Sequence, residues 1–182
     1  PPYSSAASDV YKRQTLEFVS AELQGDRDIV MAAVKDNGLA LRYARKELQG
    51  DRDIVIAAVP EDVNKNGFRY ASEALRANPE VVLAVVRVNG EALRDASEAL
   101  RADREVVMAA VKQFGSALQY ASEPLRADPE VGMAAVKDHG LALRYASEAL
   151  QDNKEIVMAA VKVYGRVLEY ASEALKDDDE IV

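Results

Sequence analysis

Leu100-Arg101-Ala102-Asp103-Arg104-Glu105-Val106-Val107-Met108-Ala109-Ala110-Val111-Lys112 returns as Leu150-Gln151-Asp152-Asn153-Lys154-Glu155-Ile156-Val157-Met158-Ala159-Ala160-Val161-Lys162. Self-similarity at a fixed period of this size signals stacked units that bury their faces against neighbours rather than around one central core. The leucine closing each unit falls at Leu23, Leu48, Leu75, Leu100, Leu125, Leu150 and Leu175, in steps of 25, 27, 25, 25, 25 and 25 residues.

Each unit opens with Asp or Asn: Asp26, Asp51, Asn78, Asp103, Asp128, Asn153 and Asp178. Such residues accept a hydrogen bond from the free N–H groups of a new helix. Pro79 and Pro129 follow two of them, where a missing N–H costs nothing. Asp28, Asp53, Glu80, Glu105, Glu130 and Glu155 come next, beside the positive end of the helix dipole. Apolar runs such as Ile29-Val30-Met31-Ala32-Ala33-Val34 then cover the whole circumference, predicting a helix buried on nearly all sides. Asn37-Gly38, Asn89-Gly90, Phe114-Gly115, His139-Gly140 and Tyr164-Gly165 end it, with glycine expected in the left-handed conformation.

A second, outer helix is expected from the one-sided stripe Leu93, Ala96 and Leu100, or Leu143, Ala146 and Leu150. Arg94 with Glu98, and Arg144 with Glu148, would face outward at i,i+4. Pro124 cannot sit inside a continuous helix, so the second helix is expected to break after Ala121-Ser122 and resume as a separate turn. A leucine-rich repeat shares the period but needs a Leu-x-Leu strand and an Asn ladder, neither of which is present. The expectation is therefore an all-α, α-solenoid-like tandem array of short helix pairs. It would hold about six full units (26–50, 51–77, 78–102, 103–127, 128–152, 153–177), with partial units at 15–25 and 178–182.

Met133 to Gly140 followed by Ala142 to Leu150 resembles the repeat of the family called domain of unknown function 4116, and four other copies carry the same signature. The resemblance covers 15–182. It implies a helical repeat found in larger, often multi-domain proteins, and it implies no reaction and no catalytic residue. Residues 1–14 carry no repeat register. Asp9-Val10-Tyr11-Lys12-Arg13-Gln14 resembles a translated sequencing adapter, so 1–14 is expected to be a non-native or disordered leader on a fragment from a metagenomic assembly.

The net charge of −8 argues against a phosphate backbone as partner, because such binding needs clustered Lys and Arg. No apolar run is long enough to span a membrane. The absence of Cys rules out disulfides and thiolate metal sites, and favours a reducing compartment only weakly. No catalytic triad, nucleotide fingerprint or phosphate-cradling loop appears. The reading is a non-enzymatic scaffold or spacer with no cofactor and a protein or peptide partner. The alternatives are an appendage of an enzyme whose catalytic domain is missing from this fragment, and a calcium-responsive repeat module.

Three features are candidate sites. Tyr43, Tyr70, Tyr120, Tyr145 and Tyr170 recur at one position, interrupted by Asp95, and either grip a partner or pack on the adjoining unit. The residue before the glycine varies (Asn37, Asn66, Asn89, Phe114, His139, Tyr164), which predicts a solvent-facing position where Phe114, His139 and Tyr164 form an aromatic stripe. His139 has no second His or Cys with which to bind a metal. Third, Asp62-Val63-Asn64-Lys65-Asn66-Gly67-Phe68-Arg69-Tyr70-Ala71-Ser72-Glu73 follows the spacing of a calcium loop. Its ligands would be Asp62, Asn64, Asn66, the Phe68 carbonyl and Glu73, and the alternative is a surface loop. Finally, Pro124 and Gly132, which replaces the usual valine, predict a weak point at 122–132.

Overall fold

The structure is a computed structural model that describes residues 16–181; the leader expected at 1–14 lies outside the described residues. Every described residue in regular structure is helical. Two short 3₁₀ turns, Leu16–Phe18 and Leu23–Gly25, precede six units of one design. A unit begins with a long α-helix: Arg27–Asp36, Arg52–Ala57, Pro79–Val88, Arg104–Gln113, Pro129–Asp138 or Lys154–Val163. A 3₁₀ helix follows: Gly38–Tyr43, Phe68–Tyr70, Gly90–Asp95, Gly115–Tyr120, Gly140–Tyr145 or Gly165–Tyr170. A four-residue α-helix closes the unit: Lys46–Gln49, Glu73–Arg76, Glu98–Arg101, Glu123–Arg126, Glu148–Gln151 or Glu173–Lys176. Long helices stack on long helices and 3₁₀ helices on 3₁₀ helices, giving an all-α solenoid-like array.

The opening Asp or Asn of each unit caps the long helix. Asp128 Oδ1 accepts from Glu130 N–H at 2.9 Å and Val131 N–H at 3.0 Å; Asp26 and Asp51 accept in the same way, and Asn78, Asp103 and Asn153 accept from the residue three positions on alone. The residue after the cap then ties one unit to the next. Arg27 bonds Asp51 at 2.9 Å and Asp53 at 3.0 Å; Lys154 bonds Asp178 at 2.8 Å and Glu180 at 2.6 Å. Arg104 repeats the pattern on Asp128 and Glu130. Pro79 and Pro129 occupy the same position and cannot make this bond.

The outer segment is not one helix. It is a 3₁₀ helix, an extended two-residue link (Ala44-Arg45 in the first unit, Ala-Ser in the others) and a short α-helix in every complete unit, so Pro124 marks a break that the other units make without proline. Pro124 therefore sits in a first turn that has no N–H partner to lose. Arg94 accordingly pairs with Glu91 at 3.3 Å and Asp95 at 3.5 Å, not with Glu98. Gly132 is also less of a defect than its sequence predicts, because Leu150 Cδ1 fills the vacated space, 2.6 Å from where a Cβ would stand.

The break between 3₁₀ and short helix is where units register on one another. Ser72 N–H donates to Gln49 O at 2.8 Å, and Ser97, Ser122, Ser147 and Ser172 donate to Arg76 O, Arg101 O, Arg126 O and Gln151 O at 2.9 to 3.0 Å. Within the unit, Gln151 Nε2 closes the break by donating to Leu143 O and Ala146 O at 3.1 and 3.3 Å, as Gln49 does to Leu41 O and Ala44 O. Arg76, Arg101 and Arg126 hold the same position, and each has a buried Nε without a partner. Replacing Arg101 by Gln should restore those bonds and raise stability by about 1 kcal/mol, measured by urea unfolding.

The glycine after the long helix does not serve as a left-handed cap, since no described residue has a positive φ. The preceding residue turns the chain instead, by going extended, as at Asn37 (φ −148°, ψ 109°) and Phe114 (φ −154°, ψ 97°). Glycine is needed because the next unit comes too close for a side chain. A Cβ on Gly115 would collide with the Ala135 carbonyl and stand 3.0 Å from His139 Cβ; one on Gly140 would lie 2.7 Å from Ala160 O. Gly38 and Gly90 meet the Ala58 and Ala110 carbonyls, whereas Gly165 meets nothing. Gly115→Ala should therefore cost about 3 kcal/mol. Gly165→Ala should stay within about 0.5 kcal/mol of the parent in the same unfolding assay.

The caps also set an acid limit. The Asp51 carboxyl is held below its ordinary 3.8 chiefly by the Arg27 hydrogen bond, and Asp178 similarly by Lys154. Asp128 is held below 3.8 chiefly by the Val131 N–H. A carboxyl lowered on folding stabilises the fold fully above its unfolded value and loses that effect as pH falls through its folded one. The urea midpoint should thus drop on acidification below 3.8. Asp128→Asn, which keeps the cap acceptor, should make that drop shallower.

Candidate interaction surface

The long helix is buried on one side only. In Arg104–Gln113, Val106, Val107, Ala110 and Val111 are buried, Met108 and Ala109 are half-exposed, and Glu105 and Lys112 are exposed. Glu105, Met108, Ala109 and Lys112 stand at i, i+3, i+4 and i+7, so they line one solvent-facing stripe. The same stripe recurs as Asp28-Met31-Ala32-Lys35, Glu80-Leu83-Ala84-Arg87, Glu130-Met133-Ala134-Lys137 and Glu155-Met158-Ala159-Lys162. In the second unit Asp53, Ile56 and Ala57 keep it, and Pro60 ends it by ending the helix. This corrects the expectation of a helix buried all round.

Stacked side by side, these stripes make one surface with an acidic row over the helix N-termini, an apolar row in the middle and a basic row over the C-termini. Two grooves of about 680 and 660 Å³ run across it. The first is floored by Met108 and Ala109 between Arg87 and Lys112; the second is floored by Met133 and Ala134 between Glu130 and Lys137. All four methionines of the chain, Met31, Met108, Met133 and Met158, lie on this face. The sequence carried the signal as an acid, a methionine three residues on and a lysine at the seventh. Six consecutive apolar residues concealed it.

The tyrosine row lies elsewhere, on the 3₁₀ helices. Tyr43, Tyr70, Tyr120, Tyr145 and Tyr170 are half-buried and pack against the core. Arginines cover three of them: Arg42 stands 4.7 Å from the Tyr43 ring centre and 6.0 Å from that of Tyr70, and Arg144 stands 4.7 Å from Tyr145. Tyr43 Oη donates to Glu17 at 2.6 Å, which pushes its phenol above the ordinary range, as burial does for Tyr120.

The variable position before the glycine is not uniformly solvent-facing. Asn66 and Asn89 are buried, at 6% and 3% exposure, and their side chains cap the following 3₁₀ helix, as the exposed Asn37 also does. Asn66 Oδ1 accepts from Phe68 N–H at 2.9 Å and Asn89 Oδ1 from Glu91 N–H at 3.1 Å. Phe114, His139 and Tyr164 give up that cap. Each sets its Cβ against the preceding unit's glycine (Gly90, Gly115 and Gly140), leaving Phe114 half-buried and His139 and Tyr164 exposed.

The calcium-loop spacing at 62–73 does not gather its oxygens. Asp62 Oδ1 accepts from Asn64 N–H at 3.0 Å, Asn66 Oδ1 is taken by Phe68 N–H, and the Phe68 carbonyl accepts from Ala71 N–H at 3.0 Å. Glu73 is exposed at the start of a short helix, and Gly67 has φ −93°. Among the described residues no group of three or more His, Asp and Glu side chains stands close enough to hold a metal ion. None of their helices is long and apolar enough to cross a membrane.

Neither a curated protein nor a solved structure matches the chain. A family model does, in five segments: 13–49, 26–67, 51–101, 103–151 and 153–182. Those segments follow the units that the capped long helices define, and they cover nearly the whole chain. The chain belongs to the family described as Domain of unknown function (DUF4116).

Proposed function

We propose that the array is a non-enzymatic scaffold that receives a protein partner on the face formed by its long helices. The observation that supports this reading is the half-exposed methionine, isoleucine or leucine at one position of every unit: Met31, Ile56, Leu83, Met108, Met133 and Met158. An isolated apolar side chain at a surface needs no explanation, but a continuous row with charged rims marks a surface for another protein. The polar groups that might otherwise suggest chemistry have structural work. Asp26 and Asp51 cap helices, Asp51 and Asp53 join units through Arg27, and Arg42 and Arg144 cover the rings of Tyr43 and Tyr145.

Because the only methionines lie on this face, photo-methionine places a cross-linker there and nowhere else. The expected result on irradiation in cells is a protein adduct at Met108 and Met133, which floor the grooves. Folded protein that yields no protein adduct at any of the four positions would overturn the proposal.

A further inference from the structure

We infer that the first partner of this face is a second copy of the same chain, docked face to face with its stack parallel and its long helices antiparallel. The inference rests on the reading of the long-helix face as an interaction surface, and it is carried by the order of the charged rows. Asp28, Asp53, Glu80, Glu105, Glu130 and Glu155 form one rim, and Lys35, Arg87, Lys112, Lys137 and Lys162 form the other.

Two copies can meet on this face about a two-fold axis that lies in it, and such an axis has two distinct orientations. An axis across the stack keeps each helix direction and sets acidic rim on acidic rim. An axis along the stack reverses the helices and sets each acidic rim on the partner's basic rim. Opposite-charge juxtaposition and antiparallel helix dipoles both select the second. It also sets each unit against its equivalent, so Met108 meets Met108 and Met133 meets Met133. Identical spacing in the two copies keeps this match in register along the whole array.

The rims differ in how far they are already engaged. Arg27, Arg52, Arg104 and Lys154 hold acids of the next unit from the side, and Arg87 reaches Glu105 at 4.0 Å, whereas Lys35, Lys112, Lys137 and Lys162 make no ion pair among the described residues. Glu155 is likewise without an ion pair among them, following a unit whose link position is Pro129. The four lysines of the basic rim are therefore the groups with charge to offer. A ten-residue helix is about 15 Å long. Five such helices and the six-residue Arg52–Ala57, spaced about 10 Å apart, give a face of roughly 840 Å², about the 800 Å² per partner of a specific complex.

The test uses the whole chain and two rim variants: Lys112→Glu/Lys137→Glu/Lys162→Glu and Glu105→Lys/Glu130→Lys/Glu155→Lys. Sedimentation equilibrium should show a dimer for the parent that weakens with added salt. Each triple variant alone should lose affinity by about a hundredfold. An equimolar mixture of the two should pair one to one, with the methyl resonances of Met108, Met133 and Met158 shifting on mixing. Met133→Glu leaves caps and rims intact, and it should weaken the parent dimer even if a rim variant fails to fold. A monomeric parent, a dimer indifferent to Met133→Glu, or a mixture of folded variants that stays apart would overturn self-pairing. If photo-methionine still captures a different protein at Met108 and Met133, the scaffold reading survives that failure. If it captures nothing, both fall.

Discussion

In four of the six units a glycine (Gly38, Gly90, Gly115 or Gly140) lies against a backbone carbonyl of the unit that follows, and this contact sets the spacing between those units. The carbonyl belongs to the last turn of the next long helix, Ala110, Ala135 or Ala160, and it approaches closer than any side chain would permit. Other features follow from that approach. The chain cannot leave the long helix through a left-handed residue and still reach the glycine, so the residue before it goes fully extended. What comes next winds as a tight 3₁₀ helix rather than an α-helix, which keeps the unit thin. A backbone hydrogen bond from each serine to the previous short helix then fixes the far edge at the same spacing.

Side chains supply the energy within that frame. Valines and isoleucines on one side of the long helix, with leucines and alanines of the 3₁₀ and short helices, form a core that continues from unit to unit. The link between cap and cap, through Arg27, Arg104 or Lys154, is exposed and contributes little stability. Its effect is on alignment: it joins the N-terminus of one long helix to that of the next. Pro79 and Pro129 replace it without disturbing the stack, consistent with packing and backbone bonds carrying most of the cohesion.

Much of this was legible in the residues. The period, the all-helical class, the capping Asp and Asn, and the break implied by Pro124 all rest on local chemistry that acts within a few residues. What was not legible depends on neighbours distant in sequence. Glycine after a helix reads as a left-handed cap, and only the next unit's carbonyl reveals its other reason. Asn66 and Asn89 read as variable surface because Phe114 and His139 share their position, yet the asparagines are buried caps. The apolar run from Val106 to Val111 hides that two of its members, Met108 and Ala109, are left facing solvent once the neighbouring helices are in place. The spacing of 62–73 matches a calcium loop, but asparagine and aspartate side chains satisfied by their own backbone produce the same pattern.

The serine-to-carbonyl bond and the glycine contact share a property with consequences for how such arrays change over generations. Both are made by main-chain atoms, so neither asks the neighbouring unit for a particular side chain. Copies that share both contacts, such as the third to the fifth, can therefore follow one another, and duplication or deletion of one of them leaves two compatible edges. The segment from Val59 to Asn66 shows the tolerance of this arrangement. It lengthens one copy, shortens its long helix, and still returns the chain to Gly67 N–H bonded to Ala58 O at 2.9 Å. Array length can thus change by whole units without a new kind of junction having to be built.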